Sequence, residues 1–416
     1  MRLVAAGVDH RTAPLQVRER AAAAIGEPAQ LLRYLVGHAG LRGAALLTTC
    51  NRTEFYLTCP EAAAAEAAPR LARYLDPGGE VGLAERMVTR YDSDAALHLL
   101  RVAAGLESML VGEAQVLGQV RDAHRAAREA GTLDARLDFV LRRAVSVGKR
   151  VRRETALGRE AGSLSDAALD CAAEVLGGVT GRSALLVGAG TMNRLAARKL
   201  ERLGSPVYCV SRSTGAGALA RAHGGTAIAP DEIIEVAPDI DFVLTSTSSR
   251  ERVLSRTMVS AMQQARGERV LCIVDLAVPR DVEPEVGAIE GVTLLDIDSL
   301  GARVEHAGAG RDQDVRDAEA LVESELERTT RALDERDSIA PTIAALQQRA
   351  EQLRRDELER TLRRTPELDQ RTRERIDAMT QSLMRKLLHA PIARLRESDG
   401  DPALALTIRE AFDLEA

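Results

Sequence analysis

Tryptophan is absent from the 416 residues, and aromatic side chains make up only 2% of them. So small an aromatic supply argues against a base-stacking platform for single-stranded nucleic acid. It also requires an aliphatic core. Cysteine is scarce too. Cys50, Cys59, Cys171, Cys209 and Cys272 are scattered, and no C-x-x-C spacing occurs. That pattern fits neither a disulfide framework nor a structural zinc site, and the scattered Asp and Glu form no metal motif. No apolar run reaches membrane-spanning length. The start, "MRLVAAGVDH", lacks the apolar stretch of a signal peptide and the Arg/Ser bias of a transit peptide. The net charge of -6 gives no global pull toward nucleic acid, so RNA would have to be met by local basic patches. Together these absences predict a cytoplasmic protein with reduced thiols and no membrane segment.

What is present is an ordinary globular balance, 45% hydrophobic and 28% charged, over a length that suits about three domains. The first part reads as mixed α/β. "LVAAGVD" is a short apolar strand, and "VRERAAAAI" and "AQLLRYLVGHAG" read as helices. Leu46–Thr49 and Thr53–Thr58 read as strands flanking Cys50-Asn51-Arg52. "DAALHLLRVAAGLESML" and the stretch from Gln115 to Glu154 read as helical, the latter ending in the basic "RRAVSVGKRVRRE".

A second part opens near Gly162. "SLSDAALDCAAEVLG" is an Ala-rich helix, with Ser163 or Ser165 as its N-cap. The apolar runs "SALLVGAG", "PVYCVSRS", "DIDFVLTSTSS", "RVLCIVDLAVPRD" and "GVTLLDIDSL" then alternate with helices. That alternation indicates a parallel sheet covered on both faces. The third part is long, charged and helical from near Ala302. Ile376, Met379, Leu383 and Leu387 form one narrow apolar stripe, which wants a partner helix either within the chain or across a homodimer. Pro341, Pro366 and Pro391 are read as helix breaks or starts.

"LLVGAGTMNRLAARKL" carries a glycine turn between a strand and a helix, the arrangement that seats a pyrophosphate on a helix N-terminus. Gly188 makes the turn and Gly190 admits the phosphate; Asn193 stands where a third glycine is usual. The next strand ends in Val210-Ser211-Arg212-Ser213 instead of the Asp or Glu that takes a ribose 2′-hydroxyl. Hydroxyls with a guanidinium suit a 2′-phosphate, so the expected cofactor is NADPH. Thr245–Ser249, "TSTSS", ends a later strand and is either a cofactor contact or a polar loop.

Cys50 differs from the other thiols in having Thr48, Thr49, Asn51 and Arg52 as neighbours. A nearby guanidinium lowers a thiol pKa and favours the thiolate nucleophile. Cys171, Cys209 and Cys272 read as core, and Cys59 lacks such neighbours. A thiolate and NADPH in one chain suggest attack on an activated acyl group, followed by reduction of the thioester to an aldehyde. Arg142, Arg143, Lys149, Arg150, Arg152 and Arg153 form a basic cluster that is either a solvated helix face or a contact for RNA phosphates.

In order along the chain, "GVDHRTAPLQVRE", "TTCNRTEFY", "GLESMLVGEAQVLGQV", "VGKRVRRET", "LLVGAGTM" and "DLAVPRDVEP" make the sequence resemble glutamyl-tRNA reductase, the first committed enzyme of the five-carbon route to tetrapyrroles. The resemblance covers essentially the whole chain. It implies an α/β multidomain fold: an α+β catalytic domain over 1–157, a Rossmann-type doubly wound NADPH domain over 158–302, and a helical dimerisation domain over 303–416, joined by a long helix into a V-shaped homodimer. It implies Cys50 as the nucleophile toward glutamyl-tRNA(Glu), and His98 as a histidine important for activity, with a role as proton donor or base near the acyl centre. Thr49, Asn51, Arg52, Ser108, Glu113, Ala114, Gln115 and Gln119 match glutamate-binding positions, Arg52 being suited to a substrate carboxyl. Gly188, Ala189, Gly190, Thr191, Met192 and Asn193, with Ser211 and Arg212, would hold the cofactor. A transient complex with glutamate-1-semialdehyde aminomutase is implied by the reactive product. Two other readings use the same residues: a thiol-independent dehydrogenase of the shikimate type with Cys50 structural, and a helical scaffold whose nucleotide fold only senses cofactor.

Overall fold

β1 (Arg2–Asp9) is apolar enough to be buried along every residue after Arg2. It therefore takes the inside of an antiparallel sheet. A computed structural model of the chain describes all residues except 39, 114, 159–162, 212–214, 248, 250, 308–311, 398–401 and 415–416. After β1 come α1 (Leu15–Ala24), α2 (Pro28–His38), β2 (Gly43–Thr48), β3 (Arg52–Cys59), α3 (Glu61–Leu75), α4 (Leu83–Arg86), β4 (Val88–Tyr91), α5 (Asp92–Ala104), α6 (Gln115–Ala130) and α7 (Ala135–Glu154). The four strands lie in the order β2-β3-β1-β4, with α3 and α5 packed on β1.

Two helical stretches are shorter than the sequence reading. α5 stops at Gly105, whose φ of +83° is the left-handed C-cap conformation that glycine adopts without strain. "GLESML" is consequently a run of turns. The reach from Gln115 to Glu154 is two helices, parted where Gly131 takes φ +72°. There the Thr132 hydroxyl donates to the Ala127 and Ala44 carbonyls, tying the break to β2.

The nucleotide fold begins with α8 (Leu164–Leu176), where Ser163 and Asp166 form a reciprocal capping box. Ser163, not Ser165, is thus the N-cap. There follow β5 (Ala184–Val187), α9 (Thr191–Arg202), β6 (Val207–Val210), α10 (Gly215–Ala222), β7 (Thr226–Ile228), α11 (Ile233–Val236), β8 (Phe242–Thr245), α12 (Arg256–Arg266), β9 (Leu271–Asp275), β10 (Val292–Asp296) and α13 (Ile297–Ala307). The strands are all parallel in the order β10-β9-β8-β5-β6-β7. The order reverses beside β5, so the crevice for a ligand opens at the carboxyl ends of β5, β6 and β8. Cys171, Cys209 and Cys272 are buried in this domain's core, as their apolar settings suggested.

The chain divides into two compact units, Met1–Ser324 and Glu325–Ala416. α14 (Asp312–Arg364), α15 (Gln370–Glu397) and α16 (Pro402–Ala411) complete the elements. Within the second unit a small apolar core gathers Leu346, Leu395, Ala405 and Ile408. Pro341 and Pro391 lie inside helices instead of breaking them; only Pro366 falls at a break. Proline removes one backbone donor but its φ remains helical, so a long helix can absorb it. Met379, Leu383 and Leu387 are more than half exposed, so the apolar stripe is uncovered within one protomer.

Gly7 of β1 faces Glu54 of β3. A Cβ on Gly7 would stand 2.3 Å from the Thr53 carbonyl oxygen and 2.6 Å from the Glu54 Cα, both backbone atoms that cannot swing aside. Gly7→Ala is expected to destabilise the first unit by about 1–3 kcal/mol or more, the usual range for overpacking. Urea unfolding monitored by circular dichroism would measure it; an unchanged midpoint would show that the strands separate freely here.

Candidate active site

β2 and β3 pair with Thr48 opposite Thr53, leaving a tight turn with Cys50 and Asn51 at its tip. The turn is braced from several directions. The Thr49 N–H donates to the Arg52 carbonyl at 2.9 Å, and the Asn51 N–H to the Thr49 hydroxyl at 3.1 Å. The His10 N–H donates to the Asn51 carbonyl at 2.9 Å. Arg18, buried on α1, donates from Nη1 to the Cys50 carbonyl at 2.6 Å. Among the described residues the buried Asn51 Oδ1 and His10 Nδ1 atoms have no hydrogen-bond partner, which leaves them available to a ligand.

Arg52 is 2% exposed and lies between two segments. Its Nη1 donates to Glu54 Oε1 at 2.7 Å, and its Nη2 donates to the Glu107 carbonyl in the "GLESML" turns. The Glu107 carboxylate is in turn held by Arg101 at 2.5 Å and by Arg11. Glu54 also accepts from His98 Nε2 at 2.9 Å and from the Tyr56 hydroxyl at 2.6 Å. Burial pushes the Glu54 carboxyl up, but the Arg52 charge and these hydrogen bonds outweigh it and hold the group far below the usual carboxylate range.

The thiol behaves differently from the sequence expectation. Burial first, and then the charge of Glu113, push the Cys50 thiol up to about 12, against the opposing pull of Arg18 and Arg52. Arg52 acts in the expected direction, yet its charge is already spent on Glu54. Glu113 is 6% exposed, and its carboxylate accepts no hydrogen bond among the described residues. Burial raises it to about 7, against Arg52 and Arg152. Arg152 does not face outward with the rest of its basic cluster; its Nη2 donates to the Glu113 carbonyl at 2.9 Å. Arg142, Arg150 and Arg153 pair with carboxylates of their own helix.

The nucleotide domain adjoins this turn. Cys50 packs against the apolar cluster that includes Met192, Leu276 and Leu300, and Leu15 and Met109 enter that cluster outright. Asp298, in the first turn of α13, accepts from Arg18 Nη2 and, at 3.1 Å, from the Leu15 N–H that opens α1. Glu19 accepts from the Arg280 backbone at 2.6 Å and from its guanidinium at 3.0 and 2.9 Å. The loop that presents Arg280 is shaped by Asp275, which accepts from Thr245 Oγ1 and from the Ala277 and Val282 N–H groups. α1 thus carries two neighbouring charges that fasten the Cys50 turn to the nucleotide domain.

At the carboxyl ends of the parallel strands lies a cavity of about 440 Å³, bounded by Gly188, Val210, Ser211, Thr247, Ser249 and Arg252 among others. Gly188 has φ +102°, and a Cβ there would stand 2.6 Å from the Ser246 carbonyl oxygen, so only glycine fits. Gly190 caps α9, followed by Thr191 and Met192 in its first turn. Asn193 is fully buried, and its amide donates to the Val187 and Gly188 carbonyls at 2.8 and 2.9 Å. It replaces the usual third glycine by bonding the strand end directly. Cavity, glycine turn and helix N-terminus fit a dinucleotide.

Residues 6–155 match the model of the glutamyl-tRNA(Glu) reductase N-terminal domain, 170–302 that of shikimate/quinate 5-dehydrogenase, and 317–414 that of the glutamyl-tRNA(Glu) reductase dimerisation domain. A glutamyl-tRNA reductase of Myxococcus xanthus is 39% identical over 421 residues, covering 100% of this chain and 94% of the relative. The chain belongs to the glutamyl-tRNA reductase family. A second relative, from Sorangium cellulosum, is 36% identical over 99% of this chain and 82% of its own length. The solved glutamyl-tRNA reductase of Methanopyrus kandleri is 32% identical, covers 100% of this chain and 99% of its own, and superposes with a TM-score of 0.50. The three-domain architecture, the oxidoreductase class and a pyridine-nucleotide type of cofactor go with that membership.

Of the positions that the reductase resemblance singled out, Thr49, Cys50, Asn51 and Arg52 form the turn, and Glu113 lies within electrostatic reach of Cys50. Ser108 is buried in the turns after α5. Gln115 opens α6 and donates to the Met192 sulfur at 3.1 Å, and Gln119 is half-buried one turn on. Ala114 and Arg212 lie outside the described residues. His98 is 4% exposed and bonded to Glu54. Sequence reasoning assigned no role to Arg18, Glu19, Glu54, Glu107, Asp275 or Arg280. One signal was readable: Arg52, Glu54 and Tyr56 alternate along β3 and so share one face.

The Glu113 charge opposes ionisation of Cys50 only when Glu113 is itself ionised. Glu113→Gln is therefore expected to alkylate faster than wild type with iodoacetamide above about pH 8, and at the wild-type rate below about pH 6, with the curves parting near the Glu113 value of about 7. Mass spectrometry of the Cys50 peptide would measure both rates; parallel profiles would remove Glu113 from the neighbourhood of the thiol.

Proposed function

We propose that the chain reduces glutamyl-tRNA(Glu) to glutamate-1-semialdehyde with NADPH, through a thioester on Cys50, as the first step of tetrapyrrole synthesis. The observation that supports it is the Cys50 turn, braced on its own sheet and packed against the nucleotide domain. A nucleophile shared by two half-reactions has to be reached from both sides. The Cys50 sulfur attacks the ester carbonyl, a C–S bond forms as the C–O bond to the terminal ribose breaks, and tRNA leaves with the thiol proton. NADPH, when bound, supplies the hydride that with one proton converts the thioester to aldehyde and free thiol.

Glutamyl esters carry an α-ammonium. The Glu113 carboxylate, which accepts no hydrogen bond among the described residues, is the natural partner for it, and that pairing offsets the charge that opposes the thiolate. Substrate thereby relieves part of the suppression of its own nucleophile. Arg52 has both terminal nitrogens engaged, so in this arrangement it serves the site by holding the turn. The missing acidic residue after β6, where Ser211 stands, favours a 2′-phosphate and hence NADPH. The exposed Arg142, Lys149 and Arg153 of α7 suit tRNA phosphates, which would compete with the carboxylates of the same helix for the two arginines, and the exposed Met379, Leu383 and Leu387 suit a homodimer through the C-terminal helices. Among the described residues no helix is long and apolar enough to cross a membrane; a cytoplasmic site, and hand-over of the aldehyde to glutamate-1-semialdehyde aminomutase, belong to the same proposal. The shikimate-type reading accounts for residues 170–302 alone and leaves Cys50 without a task.

NADPH oxidation is expected with charged glutamyl-tRNA and not with free glutamate or uncharged tRNA. Cys50→Ser should abolish it while NADPH still binds, and glutamyl-tRNA with wild-type chain but no cofactor should leave a glutamyl adduct on the Cys50 peptide. Full activity in Cys50→Ser would sink the thioester.

A further inference from the structure

β3 is buried along all eight residues, yet it carries an arginine and a glutamate. Taking a charge pair out of water is expensive and seldom adds stability over an apolar pair. The arrangement therefore calls for a reason other than packing. Both Glu54 oxygens are occupied: Oε1 receives Arg52 Nη1 at 2.7 Å and His98 Nε2 at 2.9 Å, and Oε2 receives the Tyr56 hydroxyl at 2.6 Å. The carboxylate cannot rotate without breaking one of them. Opposite it, Gly7 is the residue that lets β1 approach this closely. Arg52, so fixed, reaches the Glu107 carbonyl and closes the turn through its own carbonyl to Thr49.

An ionised carboxylate only accepts hydrogen bonds, so His98 Nε2 carries the proton and donates it to Glu54. Passing that proton to a reacting group would release the very bond that orients Glu54. We propose that Glu54 is the positioning residue of the Cys50 turn, and that His98 and Tyr56 serve the reaction by fixing its carboxylate against Arg52, not by exchanging protons with the substrate. The inference rests on the thioester reading for its catalytic consequence, while its structural half stands on the turn alone.

The test compares His98→Gln, His98→Ala and Glu54→Gln, each checked by thermal melting, in two assays on the full chain. One is single-turnover acylation of Cys50 by glutamyl-tRNA across pH. The other is iodoacetamide alkylation of Cys50 without tRNA. Glutamine can donate to Glu54 but cannot shuttle a proton near neutral pH. His98→Gln should therefore keep acylation within about tenfold of wild type with the same pH profile, whereas His98→Ala and Glu54→Gln should both fall further and change the alkylation rate. Proton transfer by a positioned side chain is worth about 10²–10⁴-fold. A loss of that size in His98→Gln, with a limb of the pH profile gone, would overturn the proposal. If wild type forms no acyl adduct, the thioester reading fails by itself. The alkylation arm then still decides: altered rates in His98→Ala but not in His98→Gln support the positioning role, and equal rates in all three variants refute it.

Discussion

The buried guanidinium of Arg52 is the constraint on which the catalytic domain is arranged. Once an arginine lies inside a sheet, its donors have to be met by the protein, because no water can do so. The Glu54 carboxylate meets one end and the Glu107 carbonyl the other. Each of these partners then needs its own support. Glu54 takes His98 from α5 and Tyr56 from its own strand, while Glu107 takes Arg101 from α5 and Arg11 from the segment after β1. Removing one partner of such a pair typically costs about 3–5 kcal/mol, since it strands a charge. That penalty, not any net gain, is what holds the motifs "GVDHRTAP", "TTCNRTEFY" and "GLESML" in register with one another.

Much of this was legible in the chain. The glycine turn after "LLV", the alternation of strands and helices, and the core positions of Cys171, Cys209 and Cys272 follow from local pattern, and the structure agrees with them. The limits of helices were less readable, because they depend on single backbone angles: Gly105 ends α5 and Gly131 parts α6 from α7. Proline misled in the other direction, since Pro341 and Pro391 sit within helices long enough to lose one hydrogen bond. The direction of the thiol shift was not readable either. A neighbour in sequence shows that Arg52 is near Cys50, but not that its charge is answered by Glu54 or that the charge of Glu113, far along the chain, acts on the thiol.

The ties between the Cys50 turn and the nucleotide domain were the least visible of all, since they join residues hundreds of positions apart. They follow a simple rule nonetheless. Pro14, at the N-cap of α1, provides no side-chain cap, and Asp298 supplies the missing acceptor from the other domain. An anion at a helix N-terminus is favourable in its own right, and Arg18 on the same helix adds a charge pair to it. Glu19 and Arg280, both nearly buried, form the second tie through three hydrogen bonds. Two such contacts on one helix resist rotation as well as separation, so the Cys50 carbonyl that Arg18 holds is referenced to both domains.

This arrangement bears on how the proposed reaction would use a thiol raised to about 12 as its nucleophile. Two guanidiniums stand near Cys50, and were they unpaired they would favour the thiolate. Each is instead committed: Arg52 to Glu54, and Arg18 to Asp298 and the Cys50 carbonyl. Among the described residues the Glu113 carboxylate accepts no hydrogen bond, and Arg52 and Arg152 only partly offset the burial that raises it. Glu113 therefore adds to the burial that disfavours the thiolate, and in the proposed reaction the α-ammonium of the aminoacyl ester is a cation that offsets the Glu113 part. A thiol kept protonated in this way is shielded from alkylation and oxidation, both of which need the thiolate. In the proposed reaction an N-blocked ester would bring no cation to Glu113, whose charge would still oppose ionisation of Cys50.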